Sequence, residues 1–366
     1  MWGRWGKVGE RATDGLSNKP LHRAGRLTGR TLGPRTPTFW KRLRARVDYT
    51  TRALQYLESI NNPGEYIVAR VSGLSRVIRF DNGFEMPMTR SNRLLIENLA
   101  ALAYHGAEFS SNPDGLAGYW RVDYRNATLT TPTGIRFTFE SVDRTIFAET
   151  FLYDIHYAGG DLTGAAVVDV GANVGDTALY YANQGAEVFA YEPDPENFRL
   201  MMQNLDLNPL LKPRIHAFPC AVGGDGVTSF ASALRGSSGH FADGGQRLQV
   251  QSVSLRTILE ANHIVRPYLL KSDSKGSEFQ LVRQAELARF RRLAIEYDTR
   301  LGNGNLDELL AAVRRAGFGA LRIRKHNFLP TPPREQGLLE AERETGPVRS
   351  TVADPTDPTS RERSWI

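Results

Sequence analysis

The chain has 366 residues, 41% hydrophobic and 23% charged, a globular composition. No apolar run approaches the roughly 20 residues of a membrane-spanning helix. One cysteine, Cys220, excludes an intramolecular disulfide framework and fits a reducing compartment, so a cytoplasmic protein is expected.

Residues 1–47 hold twelve Lys or Arg against two acids, Glu10 and Asp14. They therefore carry about +10 where the whole chain carries +6, leaving about −4 for the rest. This basic, Gly- and Pro-interrupted stretch lacks both an apolar leader core and amphipathic periodicity. It reads as a disordered arm, through which any nucleic-acid contact would have to run.

Residues 48–160 read as an α+β lead-in. A short helix is expected over 48–60. Alternation in "EYIVARVSGLSRVIRFDNGFEM", with turn signals at Ser72-Gly73 and Asp81-Asn82-Gly83, predicts small antiparallel strands. "SNRLLIENLAALAYHG" predicts an amphipathic helix capped by Ser91 and stopped at Gly106. Short strands follow at 118–125 and 134–140.

From residue 161 to 328 the rhythm becomes strand, helix, strand. Apolar runs at 166–170, 187–191, 214–219, 267–271 and 293–297, mostly separated by helical segments, predict a parallel sheet covered on both faces. Residues 226–255 lack a good helix and predict extra strands around a Gly/Ser-rich loop. Residues 329–366 are dominated by Pro and charge and read as a largely disordered tail.

The chemistry concentrates in "AVVDVGANVGDTALYYANQGAEVFAYEPDPENF", a strand–turn–helix–strand unit that suits an adenosine-containing cofactor. A dinucleotide fingerprint needs glycine at its first, third and sixth positions; counted from Gly171, the third is Asn173 and the sixth Asp176. Asp176 would also repel a pyrophosphate at the helix N-terminus. S-adenosylmethionine carries no phosphate. Its ammonium suits the acid of an acid-x-Gly-x-x-x-Gly turn, here Asp169, Gly171 and Gly175. Its ribose suits a carboxylate closing the second strand, here Glu192, 17 residues after Gly175. Asp176 joins the candidate cofactor contacts. Asp194 and Pro195 then open a helix, the acid as cap and the proline in the first turn.

The same stretch resembles the first motif of FkbM-type methyltransferases, Asp-x-Gly-Ala-Asn-x-Gly followed by a Glu-Pro-(Asn/Asp)-Pro strand end. "LLKSDSKGSEFQLV" (269–282) is similar to the family's Leu-Lys-x-Asp-x-Glu-Gly-x-Glu segment, departing at Lys275, where Glu is usual. "RTIFAETFLYDIHY" (144–157) and, more weakly, "VQSVSLRTIL" (250–259) also match, so the resemblance spans about 144–325. It implies a Rossmann-like class I methyltransferase domain with a mostly parallel seven-stranded sheet and a reversed final strand pair. It also implies S-adenosylmethionine contacts at Asp169, Gly171, Asn173, Gly175 and Glu192, with Ala221 and Val222 bordering adenine. The family further implies transfer to oxygen, on a hydroxyl of a sugar, glycan, lipid or natural-product acceptor.

An oxygen nucleophile must be aligned and relieved of its proton. Asp273, at the expected end of the fourth strand, is the leading candidate to orient or deprotonate it. Glu296 and Lys275 complete the candidate catalytic set, and Glu149 and Tyr153 are placed to roof the site. Asp273 and Glu296 are hard oxygen ligands that magnesium would accept, but nothing in the sequence demands a metal. The seven histidines are scattered without ligand spacing. Two other readings stay open: an RNA methyltransferase using the basic arm, and a catalytically silent domain that binds the cofactor or a partner.

Overall fold

Five of the apolar runs become strands of one sheet: β1 (Ala166–Val170), β2 (Glu187–Tyr191), β3 (Ile215–Phe218), β4 (Pro267–Ser272) and β5 (Arg292–Asp298). Two more, β6 (Ala320–Arg324) and β7 (Gln336–Glu342), complete it in the order β6-β7-β5-β4-β1-β2-β3. All pairs are parallel except those of β7, which runs antiparallel to β5 and β6. This computed structural model describes residues 55–110, 118–231, 247–274, 277–300, 304–324 and 335–343. It is a Rossmann-like α/β fold with the reversed final pair of a class I methyltransferase sheet.

Strand alternation sends side chains to two cores. Val167, Val188 and Leu269 face one, with helices α1 (Asp176–Asn183) and α2 (Pro195–Leu207) and the lead-in. Val168, Val170 and Leu270 face the other, against α3 (Leu255–Ala261) and α4 (Leu306–Arg315). The Asp194 carboxylate accepts from the N–H groups of Glu196 and Asn197 and Pro195 occupies the first turn, so α2 starts where the sequence places it.

The lead-in holds a hairpin (Arg76–Arg79 with Glu85–Met88), a helix (Arg93–Tyr104) and a four-stranded sheet. It shares the first core. The described residues belong to one compact unit, and residues 1–54, with the whole predicted basic arm, lie outside them. Asn204 and Asn208 of α2 fasten the lead-in: Asn204 Oδ1 accepts from the Thr138 N–H at 2.9 Å, and Asn208 bonds both the N–H and the carbonyl of Arg136.

The structure differs from the sequence reading in three places. Residues Pro63–Ser72 form a helix where alternation suggests strand. Pro63 sits in its first turn, Tyr66 and Ala69 are buried at i,i+3 spacing, and Gly73 closes it at φ 70°. The helix over 93–104 begins after Asn92, not Ser91; Asn92 Oδ1 is occupied by the Thr89 N–H at 2.7 Å. Residues 336–342, assigned above to the tail, are β7, with Leu338 and Leu339 buried. The insertion forms strands Gly226–Ala231 and Arg247–Val253, which pair with each other, the second also with Ala221–Val222; its 232–246 loop lies outside the described residues. Among the described residues no helix is long and apolar enough to cross a membrane.

Candidate active site

The turn after β1 is shaped by close backbone approach. Gly171 has φ 75°, and a Cβ there would lie 2.3 Å from the carbonyl oxygen of Asp273. The Asp273 N–H in turn donates to the Val170 carbonyl at 2.9 Å, so the ends of β1 and β4 are locked together. Asn173 also lies at positive φ, 49°, a conformation that asparagine tolerates better than most residues. Gly175, at φ 82°, opens α1 against Met201.

Glu192 holds the loop from the other side. It follows β2, and its Oε2 accepts from the Asn173 N–H at 2.8 Å while Oε1 accepts from the Asp194 N–H at 2.8 Å. Burial pushes its pKa up to about 7, against these two donors, which favour the charged form. One carboxylate thus ties the β1 turn to the N-terminus of α2. Each oxygen retains acceptor capacity toward a ligand hydroxyl.

Asp169 and Asp176, expected above among the cofactor contacts, are both buried and engaged by other side chains. Asp169 is fully buried beside Lys271, its in-register neighbour on β4: Lys271 Nζ lies 2.9 Å from Asp169 Oδ1 and donates to the Gly171 carbonyl at 2.9 Å. Thr177 donates to Asp169 Oδ2 at 2.6 Å. Asp176 is 3% exposed and accepts from the Thr150 hydroxyl of the lead-in at 2.8 Å. Burial raises its pKa to about 7, opposed by Lys271 and Thr150. Burial alone would lower the Lys271 pKa, but Asp169, Asp273 and Asp176 outweigh it and hold the ammonium charged. The two carboxylates therefore form an interior charge cluster that fixes the turn from behind.

Residues 169–319 match the profile described as the Methyltransferase FkbM domain. This segment belongs to the FkbM methyltransferase family. The chain is also similar to the hexuronic acid methyltransferase AglP of Haloferax volcanii, 24% identical over 115 residues. That match covers 31% of this chain and 47% of AglP, so the chain spans about half the length of this curated relative. Among solved structures, the methyltransferase FkbM from Methylobacillus flagellatus KT aligns at 17% identity over 54% of this chain and 48% of that one, with TM-score 0.37. A putative rRNA methylase from Clostridium thermocellum aligns at 9% identity over 55% and 96%, with TM-score 0.34.

Within the FkbM domain, Asp273 follows β4 at the same end of the sheet as the turn and Glu192. Glu296 is not at a strand end: β5 runs on to Asp298, and Glu296 is 7% exposed inside it, opposite Leu338. Asp298 itself is engaged by Arg300, at 2.8 Å from Nε and 2.6 Å from Nη2. Ala221 and Val222 pair in register with Ser252 and Val253, and the Gly223 N–H continues the ladder to the Val253 carbonyl. Lys275 lies outside the described residues. Tyr153 turns its hydroxyl to His105 Nδ1 of the lead-in at 2.7 Å, while Glu149 is buried. Among the described residues no group of three or more His, Cys, Asp or Glu side chains is arranged to hold a metal ion.

Sequence reasoning missed Lys271, although its signal is present. A lone lysine inside the apolar run "YLLKS" must find a buried counter-charge, and a parallel neighbour of β1 offers Asp169. It also missed the stacked pair Tyr191 and Phe218, whose centroids are 4.8 Å apart at the ends of β2 and β3.

Proposed function

We propose that the FkbM domain transfers a methyl group from S-adenosylmethionine to a hydroxyl oxygen of a sugar-bearing acceptor. The observation that carries the cofactor assignment is Glu192, a buried carboxylate closing β2 and holding the Asn173 N–H beside a turn whose Gly171 has no room for a side chain. That acceptor set suits a neutral ribose and a cationic methionine end; an acid cluster behind the turn disfavours a diphosphate. The sugar acceptor is supported by the likeness to a hexuronic acid methyltransferase.

S-adenosylmethionine supplies an electrophilic methyl group on a sulfonium whose leaving group is neutral. The chain's own work is then alignment, exclusion of water and removal of one proton. We assign ribose binding to Glu192, the approach to the methionine end to the backbone of Gly171, Asn173 and Gly175, and the adenine border to Ala221 and Val222. Asp273 orients the acceptor hydroxyl and takes its proton. Asp169, Asp176 and Lys271 hold the turn, and the lead-in with the 226–255 insertion builds the acceptor side. With one cysteine, half-buried, the reading places the protein in the cytoplasm.

Calorimetric titration with S-adenosylhomocysteine, beside NADH, tests the cofactor. Saturable binding that Glu192→Ala weakens at least tenfold, with NADH silent, is the expected result. A folded protein that takes up neither ligand would sink the assignment.

A further inference from the structure

We infer that the opposite edge of the sheet carries an anion site that takes a diphosphate group. Beneath the starts of β4 and β5 lies an open hollow of about 440 Å3, walled by Arg266, Arg289, Arg291 and Arg343 with Tyr268 and Phe290; no Asp or Glu lines it among the described residues. Scattered surface arginines are ordinarily solvated and contribute little. Here four arginines line one concavity, and three of them are held in place by other groups.

Arg289 Nη2 donates to the Ile264 carbonyl at 2.9 Å and is 3.3 Å from that of Val265. Arg343 donates to the Ala316 carbonyl and lies over the Phe318 ring at 5.1 Å. Arg291 lies over the Tyr268 ring at 5.8 Å. Each anchor occupies one side of its guanidinium and leaves other N–H donors unspent. Arg343 Nε is itself buried, with no hydrogen-bond partner among the described residues. The nearby acid Glu342 lies 3.7 Å from Arg291 and 3.8 Å from Arg292, one carboxylate beside a group of four lining arginines.

Several guanidinium forks around one hollow call for a ligand with more than one negative charge and more acceptor oxygens than a carboxylate has, which a diphosphate supplies. A polynucleotide would need cations tracking along a face instead of lining one hollow. β4 is six residues long, so the hollow lies on the order of 20 Å from the Gly171 turn. Its occupant therefore takes no part in methyl transfer at that turn, and the inference stands independently of the cofactor assignment.

The test is calorimetric titration of the full chain at low ionic strength with inorganic diphosphate and with a sugar nucleoside diphosphate. An Arg266→Glu/Arg291→Glu variant, at two exposed positions, and acetate serve as controls. Saturable diphosphate binding is expected, weakened at least tenfold in the variant while its S-adenosylhomocysteine affinity and thermal unfolding stay unchanged. Equal affinity for the two probes assigns the site to the free anion, and tighter binding of the nucleotide sugar assigns it to a larger molecule's diphosphate. No saturable binding by the wild type, equal binding by the variant, or tighter, length-dependent binding of a single-stranded oligonucleotide would overturn the inference.

Discussion

Lys271 Nζ sits 2.9 Å from Asp169 Oδ1, both groups buried, and the same ammonium donates to the Gly171 carbonyl. The ion pair is therefore part of the turn's scaffold, joining the side chains of β1 and β4 to the backbone that faces the ligand edge. Removing one partner leaves a charge in the interior, which typically costs about 3–5 kcal/mol. Lys271→Met is expected to destabilise the protein by about that amount in urea unfolding and to weaken S-adenosylhomocysteine binding. A Lys271→Met/Asp169→Leu double variant should recover much of the stability but not the affinity, because the Gly171 carbonyl stays unheld. A single-variant loss below about 1 kcal/mol would mean that the pair behaves as a solvated one.

Gly171 gives a sharper geometric test. Alanine there meets the Asp273 carbonyl oxygen at 2.3 Å and must also adopt φ 75°. The positive φ alone costs roughly 1–2 kcal/mol. Gly134 is the control, at φ 90° with nothing within 4 Å of where a Cβ would sit. Gly134→Ala should show only the conformational cost and keep ligand affinity. Gly171→Ala should lose additional stability and at least tenfold in affinity for S-adenosylhomocysteine. Equal behaviour of the two variants would show that β4 yields without disturbing the turn.

Much of this architecture is legible in the sequence because the relevant signals are local. The runs at β1 and β2, the glycines between them and the Asp194-Pro195 start of α2 each rest on neighbouring residues. β7 does not: "GLLEAE" is a short apolar patch among charges and prolines, and becomes a strand only because β5 and β6 supply partners on both sides. The helix over 63–72 is similarly ambiguous, since Ile67, Val68 and Val71 stay exposed and only Tyr66 and Ala69 mark its buried face. At the candidate site, the turn geometry of Gly171 and Gly175 and the closure of β2 by Glu192 follow from the motif alone. The inward turn of Asp169 and Asp176 depends on Lys271 and Thr150, which are distant in sequence and meet these acids only through sheet register and lead-in packing.

The pH dependence of stability should reveal Asp176. Burial raises its pKa to about 7 in the folded protein, far above an ordinary unfolded carboxylate near 4. Between these values the folded state binds more protons than the unfolded state, so this group's contribution to stability falls as pH rises through that window and levels off above about 7. Asp176→Asn should therefore flatten the profile between about pH 4 and 7, becoming relatively more stable at pH 8 than at pH 5 when compared with the wild type. Urea unfolding across that range reads it directly. A variant whose profile parallels the wild type would show that Asp176 keeps an ordinary pKa.

Glu192 and Asp273 should separate binding from chemistry. Burial raises the Glu192 pKa to about 7, and an ionised carboxylate accepts better from ribose hydroxyls than a protonated one. Affinity for S-adenosylhomocysteine should thus rise between about pH 6 and pH 8, by at most tenfold per unit, and Glu192→Gln should be weaker and lack that rise. Asp273 is assigned to the acceptor hydroxyl, so Asp273→Asn should leave S-adenosylhomocysteine affinity within about twofold while lowering methyl transfer by about 10²-fold or more. The readout is S-adenosylhomocysteine release over a panel of hexuronic acid and neutral glycan acceptors. A variant that loses cofactor affinity and turnover together would move Asp273 from the acceptor to the cofactor side of the cleft. A variant that keeps full turnover would remove it from the proton's path and leave alignment by the cleft as the source of rate.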